Sequence, residues 1–244
     1  MLSSYKLTYT RFSEQSILIQ WPEKIDPKIL KDLLRYKENI LKYSKDTIQV
    51  INTYNALLLA YNTFELDYKN EIERLKSLRN KVIASKPLQS KLWKIPVCYD
   101  VKYGLDLEAL AAAKNCSIAE LIQWHTEAVY KVYFIGFLPG FLYLGGLDNR
   151  LIMPRRQRPR PHVLKGAVGI GGEQTGIYPN ASPGGWNIIG NSPITFFDPE
   201  SEHPCFANAG DSIQFVAIDL VGHAAIIERI KNGNYKLESE VYDG

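Results

Sequence analysis

The feature that most constrains this chain is the stretch from Gly136 to Pro193, which holds twelve of the 17 glycines and seven of the 13 prolines. Glycine opens φ > 0 and lets other groups approach the backbone closely, while proline fixes φ and withholds a donor. Such density specifies shaped loops. The stretch opens with Gly136-Phe137-Leu138-Pro139-Gly140-Phe141 and continues through Pro154-Arg155-Arg156 to Gly169-Ile170-Gly171-Gly172-Glu173-Gln174-Thr175-Gly176. It closes with Ser182-Pro183-Gly184-Gly185-Trp186-Asn187. Five of the ten arginines lie between Arg150 and Arg160, and no acidic residue occurs between Asp148 and Glu173. A glycine-lined basic surface with a single carboxylate suits an anionic or carbonyl-rich ligand.

The segments before this stretch read differently. Tyr5 to Thr10 and Ser16 to Trp21 alternate as strands. Asp26-Pro27 opens a helix as N-cap and first helical residue, with Ile29, Leu33, Tyr36 and Ile40 on one face. A hairpin is expected over Ile48 to Ile51 and Ala56 to Tyr61. A helix after Asp67 turns Ile72, Leu75, Leu78 and Val82 inward, and Leu92 to Tyr99 is a further strand. The order ββαββαβ predicts an α+β N-terminal domain, ferredoxin-like, over residues 1–88. Ser85 to Ser90, polar and proline-containing, is the expected linker.

A second domain is predicted over residues 89–244. Leu107 to Lys114 is helical, and Ser117-Ile118-Ala119-Glu120 is a capping box that starts another helix. Short strands follow at Val132 to Phe134, Ala167 to Ile170, Trp186 to Ile189, Thr195 to Phe197 and Ser212 to Ile218. Together they predict a mainly-β barrel or closed sandwich. The residues after Lys231 read as a last strand and a frayed end.

Composition narrows the function classes. Hydrophobic content of 45% and charged content of 23% are ordinary for a globular protein, and a net charge of +3 does not argue for nucleic acid. No signal peptide is read in the first ten residues. The uncharged run Val132 to Leu147 is too short for a membrane span and is broken by glycines. Three cysteines without a CxxC pair predict reduced thiols and a cytoplasmic protein. The phosphate loop, the dinucleotide fingerprint, the GxSxG elbow and the HExxH helix are all missing, and the four histidines have no metal-ligand spacing, so no metal site is expected.

Several residues remain as candidates. Glu173, Gln174 and Thr175 form a polar triplet inside the glycine-rich region. The carboxylate can act as general base and the amide can pair with another amide, although a polar turn bonded to its own backbone has the same composition. Arg155 and Arg156 can clamp a carboxylate or phosphate, whereas Arg158 and Arg160 read as solvated. The prolines between these arginines also fit a protein-docking edge. His125, near a helix end, is a candidate acid or base, or a structural histidine favoured by the helix dipole. Phe141, Tyr143 and Trp186 are candidate pocket walls, and Phe137 is expected in the barrel core.

These quoted pieces, together with His125, Tyr130 and the run from Phe134 to Gly146, share order and approximate spacing with a known signature. The chain resembles the family of 5-oxoprolinase B subunits, also called allophanate hydrolase subunit 1, which includes KipI-like histidine-kinase inhibitors. The resemblance implies a small α+β domain followed by a cyclophilin-like β-barrel. It implies one component of a heteromeric hydrolase that opens 5-oxoproline to glutamate with ATP and Mg²⁺. Such a component works with a homologous C subunit and with an A subunit, and is inactive on its own. Glu173, Gln174 and His125 would then be catalytic, and Arg155, Arg156, Thr175, Tyr143 and Trp186 would contact substrate. The ATP site would be shared with the partners. The alternative is a regulator that binds and inhibits a sensor histidine kinase. No nucleic-acid or membrane partner is expected.

Overall fold

A computed structural model describes residues 5–44, 47–63, 65–79, 81 and 90–242. Contacts divide the chain into two compact units, residues 1–88 and 89–244. Val82 and most of the expected linker lie outside the described residues.

In the first unit, β1 (Thr8–Ser13) and β2 (Ser16–Gln20) form a hairpin, followed by α1 (Pro27–Tyr43), β3 (Thr47–Asn52), β4 (Ala56–Tyr61) and α2 (Tyr68–Arg79). The Asp26 carboxylate accepts from the Lys28 amide at 2.8 Å and Pro27 occupies the first turn, as a helix start requires. The sheet is antiparallel in the order β1-β2-β4-β3. Ile17, Ile19, Leu57 and Leu59 meet Ile29, Leu33, Tyr36 and Ile40 of α1 and Leu75 and Leu78 of α2 in one core. A strict ferredoxin-like order closes with a strand after the second helix. Here β1 occupies the sheet edge beside β2, and the strand that follows α2 in sequence, β5 (Lys91–Cys98), pairs in the other unit.

The second unit is built on β5. Then come α3 (Leu107–Ala113), α4 (Ile118–Glu127), β6 (Val129–Ile135), β7 (Leu142–Gly145) and a short 3₁₀ turn at Asn149–Leu151. Next are β8 (Arg160–Val163), β9 (Ala167–Gly171), β10 (Gln174–Ile177), β11 (Ser182–Gly184), β12 (Asn187–Asn191), β13 (Ser212–Ile218), α5 (Leu220–Lys231) and β14 (Ser239–Val241). Seven strands pair in the order β12-β9-β10-β7-β6-β13-β5, and the Asn191–Cys98 pairing of β12 with β5 closes them into a barrel. β14 adds to β5 on the outside of that circuit, and β8 pairs with β11 separately.

Period-two alternation fills the barrel. Ile95 and Val97 of β5, Tyr130 and Val132 of β6, Leu142 and Leu144 of β7, Val168 and Ile170 of β9, and Ile213 and Phe215 of β13 share one core. α4 packs Leu121 into it. Its capping box is complete, with the Ser117 hydroxyl accepting from the Glu120 amide and the Glu120 carboxylate accepting from the Ser117 amide.

One strand expectation is corrected. Thr195 to Phe197 joins no ladder, although Phe196 is buried. Pro193 and Pro199 flank it and lack the N–H a strand needs. Val132 to Leu147 is a β6–β7 hairpin with most of its apolar groups buried. α5, capped by Asp219 accepting from Gly222 at 2.7 Å, is not legible in the sequence because its apolar residues make no narrow stripe.

Candidate functional site

The glycine-rich hairpin β9–β10 has two faces with different chemistry. Gly172 and Glu173 form its two-residue turn between the paired Gly171 and Gln174, and Gly172 takes the left-handed φ of +68° that such tight hairpins demand. Val168, Ile170, Thr175 and Ile177 point into the barrel, whereas Gly169, Gly171 and Gly176 point outward. A Cβ on Gly171 would sit 2.5 Å from the Trp186 ring, and one on Gly176 or Gly169 would meet Trp186 at 3.1 or 3.2 Å. The indole therefore lies directly on bare backbone. Burying an indole stabilises by on the order of 5 kcal/mol. Three strand glycines cost roughly 2–3 kcal/mol. The aromatic packing wins.

Trp186 is one of a cluster outside the barrel. Phe141 stands edge-on to Trp186 at 5.5 Å and to Tyr178 at 5.7 Å, and Tyr143 stacks on Phe134 at 4.1 Å. Gly184 leaves room for the Tyr178 ring, since a Cβ there would overlap it. The strip Met153 to Arg156 runs along the hairpin turn. Met153 and Gly172 exchange backbone bonds, Asn187 donates its amide to the Pro154 carbonyl at 2.9 Å, and the Arg156 amide donates to Gly185 at 2.7 Å. That strip carries Arg155 to the face, where its guanidinium lies 5.8 Å over the Trp186 ring and donates to Gln174 Oε1 at 3.3 Å. Burial pushes the Tyr143 phenol up, and the Arg155 charge opposes that shift. Arg155, Gln174, Tyr143 and Trp186 thus belong to one surface, and Glu173 is exposed at the turn beside Gln174.

Arg156 is elsewhere engaged. Asp106, 5% exposed, accepts from Arg156 at 2.7 Å, from both terminal nitrogens of Arg160 at 2.7 and 2.8 Å, and from the Ile188 amide at 2.7 Å. The bidentate pair makes Arg160 a structural group rather than a solvated one. Arg158 is exposed, as expected. The excess of arginines over carboxylates between Asp148 and Glu173 is the available signal that a buried acid must come from another part of the chain. Asp106 itself resembles an ordinary residue before a helix.

His125 and Thr175 meet inside the barrel. Thr175 Oγ1 donates to the Gly169 carbonyl at 3.1 Å, so at its 2.9 Å contact with His125 Nε2 it accepts. Nδ1 then accepts from the Tyr99 hydroxyl at 2.7 Å. The ring stacks on Phe215 with centroids 4.5 Å apart, and the Tyr130 hydroxyl donates to the His125 carbonyl at 2.9 Å. Burial alone pushes the imidazole down to about 3, so it is neutral at ordinary pH. A neutral ring with both nitrogens bonded and no exposed surface positions β10; it does not reach the outer face that Gln174 shares.

Phe137 departs from expectation. It is 65% exposed rather than in the core, and its φ is +65°, a strained value for a bulky side chain. Among the described residues, no cluster of three His, Cys, Asp or Glu side chains could hold a metal ion, and no helix is long and apolar enough to cross a membrane.

A family model described as "Carboxyltransferase domain, subdomain C and D" matches residues 7–207. The chain is similar to the 5-oxoprolinase B subunit of Haemophilus influenzae, 37% identical over 204 residues that cover 84% of this chain and 94% of that one. It is also similar to the 5-oxoprolinase B subunit of Bacillus subtilis, 38% identical over 182 residues that cover 70% of this chain and 75% of that one. A solved structure of urea carboxylase from Kluyveromyces lactis superposes with a TM-score of 0.81 over 97% of this chain and 24% of that one. At 21% identity that likeness is one of fold.

Proposed function

The chain belongs to the family of 5-oxoprolinase B subunits, and from that premise we propose that it is the B subunit of an ATP-dependent 5-oxoprolinase. The observation that carries this reading is identity of 37% along nearly the whole length of a relative bearing that name. Membership supports a component of an amidohydrolase complex. On our reading the partners are a homologous C subunit and an A subunit, and the barrel is a cyclophilin-like one. The regulatory alternative, a histidine-kinase binder, draws no support from these relatives.

The outer face suits the chemistry. Opening the lactam adds water across its C–N bond and leaves a carboxylate and an amine, and the substrate already carries one carboxylate. Arg155 offers a guanidinium fork for that carboxylate, and the Trp186 ring beneath it supplies a flat apolar floor. On this reading the Gln174 amide, which accepts from Arg155, pairs with the ring amide, and the exposed Glu173 is the nearby candidate base. Thr175 and His125 support β10 from inside, and Asp106 holds Arg156 as a brace for the Arg155 strip. Tyr143 walls the face.

The same face does not by itself fit Mg²⁺–ATP. Phosphates and a metal call for two or so carboxylates and a ring of donors, and Glu173 is the one acid of the glycine-rich stretch after Asp148. We therefore assign ATP to a site completed by the partners and derive no step through it. The purified chain alone is expected to release no glutamate from 5-oxoproline, with or without ATP. Addition of the C and A subunits restores ATP-dependent release. Robust turnover by the chain alone, or none by the full mixture, refutes this reading.

A further inference from the structure

An open pocket in the barrel unit shares no lining residue with the Arg155 face. It is open to solvent and spans about 780 Å³ between the Pro139–Gly140 turn, the start of β5 and the segment from Phe197 to Asn208. That volume falls within the range of small-molecule sites. We propose that this cavity binds a small organic carboxylate with a flat or cyclic apolar body. The inference goes beyond the oxoprolinase reading and does not depend on it.

Three features support it. The first is shape. Gly140 has a φ of +81°, and a Cβ there would lie 2.7 Å from Phe197 Cβ and 2.8 Å from the Phe196 carbonyl. The glycine is what lets the turn close against the Phe196–Phe197 segment, so two loops meet as a wall. The second is a flat apolar interior. Trp93 and Phe206 pack edge to face at 4.9 Å, and Ile135 and Phe197 complete the lining.

The third is charge. Lys91 and His203 line the cavity, and no carboxylate side chain does so among the described residues. Asp198, Glu200 and Glu202 belong to the same 197–208 segment and are exposed, and Asp211 is buried behind the wall. Asp211 accepts from the Lys91 amide at 2.9 Å, from Trp93 Nε1 at 3.0 Å and from the Asn208 amide at 2.9 Å. These three bonds tie separate parts of the lining together, and they occupy the carboxylate. The Lys91 ammonium sits 5.0 Å over the Trp93 ring, at the junction of the charged and aromatic parts. A carboxylate paired with Lys91 and His203 would lay its apolar body along Trp93 and Phe206.

The probe is benzoate, titrated into the full chain while the Trp93 indole N–H is followed by NMR, with the signal assigned from Trp93→Phe. Benzamide, of the same shape without charge, is the control. Benzoate is expected to shift the Trp93 signal saturably and benzamide to bind at least about tenfold more weakly, the usual size of a lost charge-assisted bond. Lys91→Met, which keeps the aliphatic stem, should weaken benzoate about tenfold, and His203→Gln about threefold. Arg155→Gln, on the other face, should leave benzoate binding unchanged. Ile135→Trp, folded by its NMR spectrum, should abolish binding by filling the interior. The proposal is overturned if the Trp93 signal does not move, if benzamide matches benzoate, if Lys91→Met binds as tightly as the parent, or if Arg155→Gln removes the effect. None of these readouts involves 5-oxoproline turnover, so failure here and failure of the oxoprolinase reading are separable.

Discussion

The interior and exterior of the β9–β10 hairpin are made from alternate residues of the same short sequence, yet they solve opposite problems. Inside, Val168, Ile170 and Ile177 fill a closed barrel, and the polar pair Thr175–His125 is tolerated because each polar atom has a partner. Outside, glycine replaces every side chain that would hold Trp186 off the backbone, and the indole then carries Arg155. The inside fixes position, and the outside is the face to which we assign the proposed chemistry. A single polar residue changes role according to which face its place in the alternation gives it. Gln174 meets Arg155, while its neighbour Thr175 is buried against an imidazole.

The comparison can be broken most severely by acid. The His125 imidazole is held at about 3 when folded and returns to the ordinary histidine range when unfolded. Its depressed value means that the stability is fully present above about pH 6.5 and is lost as pH falls toward 3, at about 1.4 kcal/mol per pH unit. Denaturant titrations across that window should show this slope, and His125→Phe should flatten it. A parent protein with no extra slope would show that the ring is not buried in its neutral form.

The next effect is expected at Asp106. Asp106→Ala leaves Arg160 and the Ile188 amide without their shared acceptor in a largely buried place. It should cost about 3 kcal/mol by chemical denaturation. Because Arg156 is more than a third exposed, most of that loss comes from Arg160 and the amide. A loss below about 0.5 kcal/mol would reduce the network to a surface ion pair. Gly171→Ala is smaller again. Its Cβ must displace the Trp186 ring, costing about 1–3 kcal/mol. The near-ultraviolet circular dichroism should change with it, and an unchanged spectrum would mean that the indole does not rest on the glycines.

The two faces are unequally legible. The inward face announces itself through alternation at Val168–Ile170 and Ile213–Phe215, and the helix starts at Asp26 and Ser117 are written in local capping chemistry. The outward face is not local. The glycines mark a place where something approaches the backbone, and that something is Trp186, a residue of the same chain, before it is any ligand. Likewise, five closely spaced arginines do not reveal which of them Asp106 claims, because the acid arrives through the fold from 50 residues before Arg156 and 54 before Arg160. Phe137 looks like core from its hydrophobicity, but a positive φ at the tip of the β6–β7 connection turns it outward.

The separation of roles is tested most directly by Arg155→Gln in the reconstituted complex, with thermal unfolding of the isolated variant measured alongside. Arg155 is exposed, so its replacement should move stability by less than about 0.5 kcal/mol. Glutamate formation from 5-oxoproline should fall about a hundredfold in kcat/KM, because Arg155 is the fork-shaped partner we propose for the substrate carboxylate. Turnover equal to the parent's at unchanged melting temperature would contradict the assignment of the outer face as the working surface.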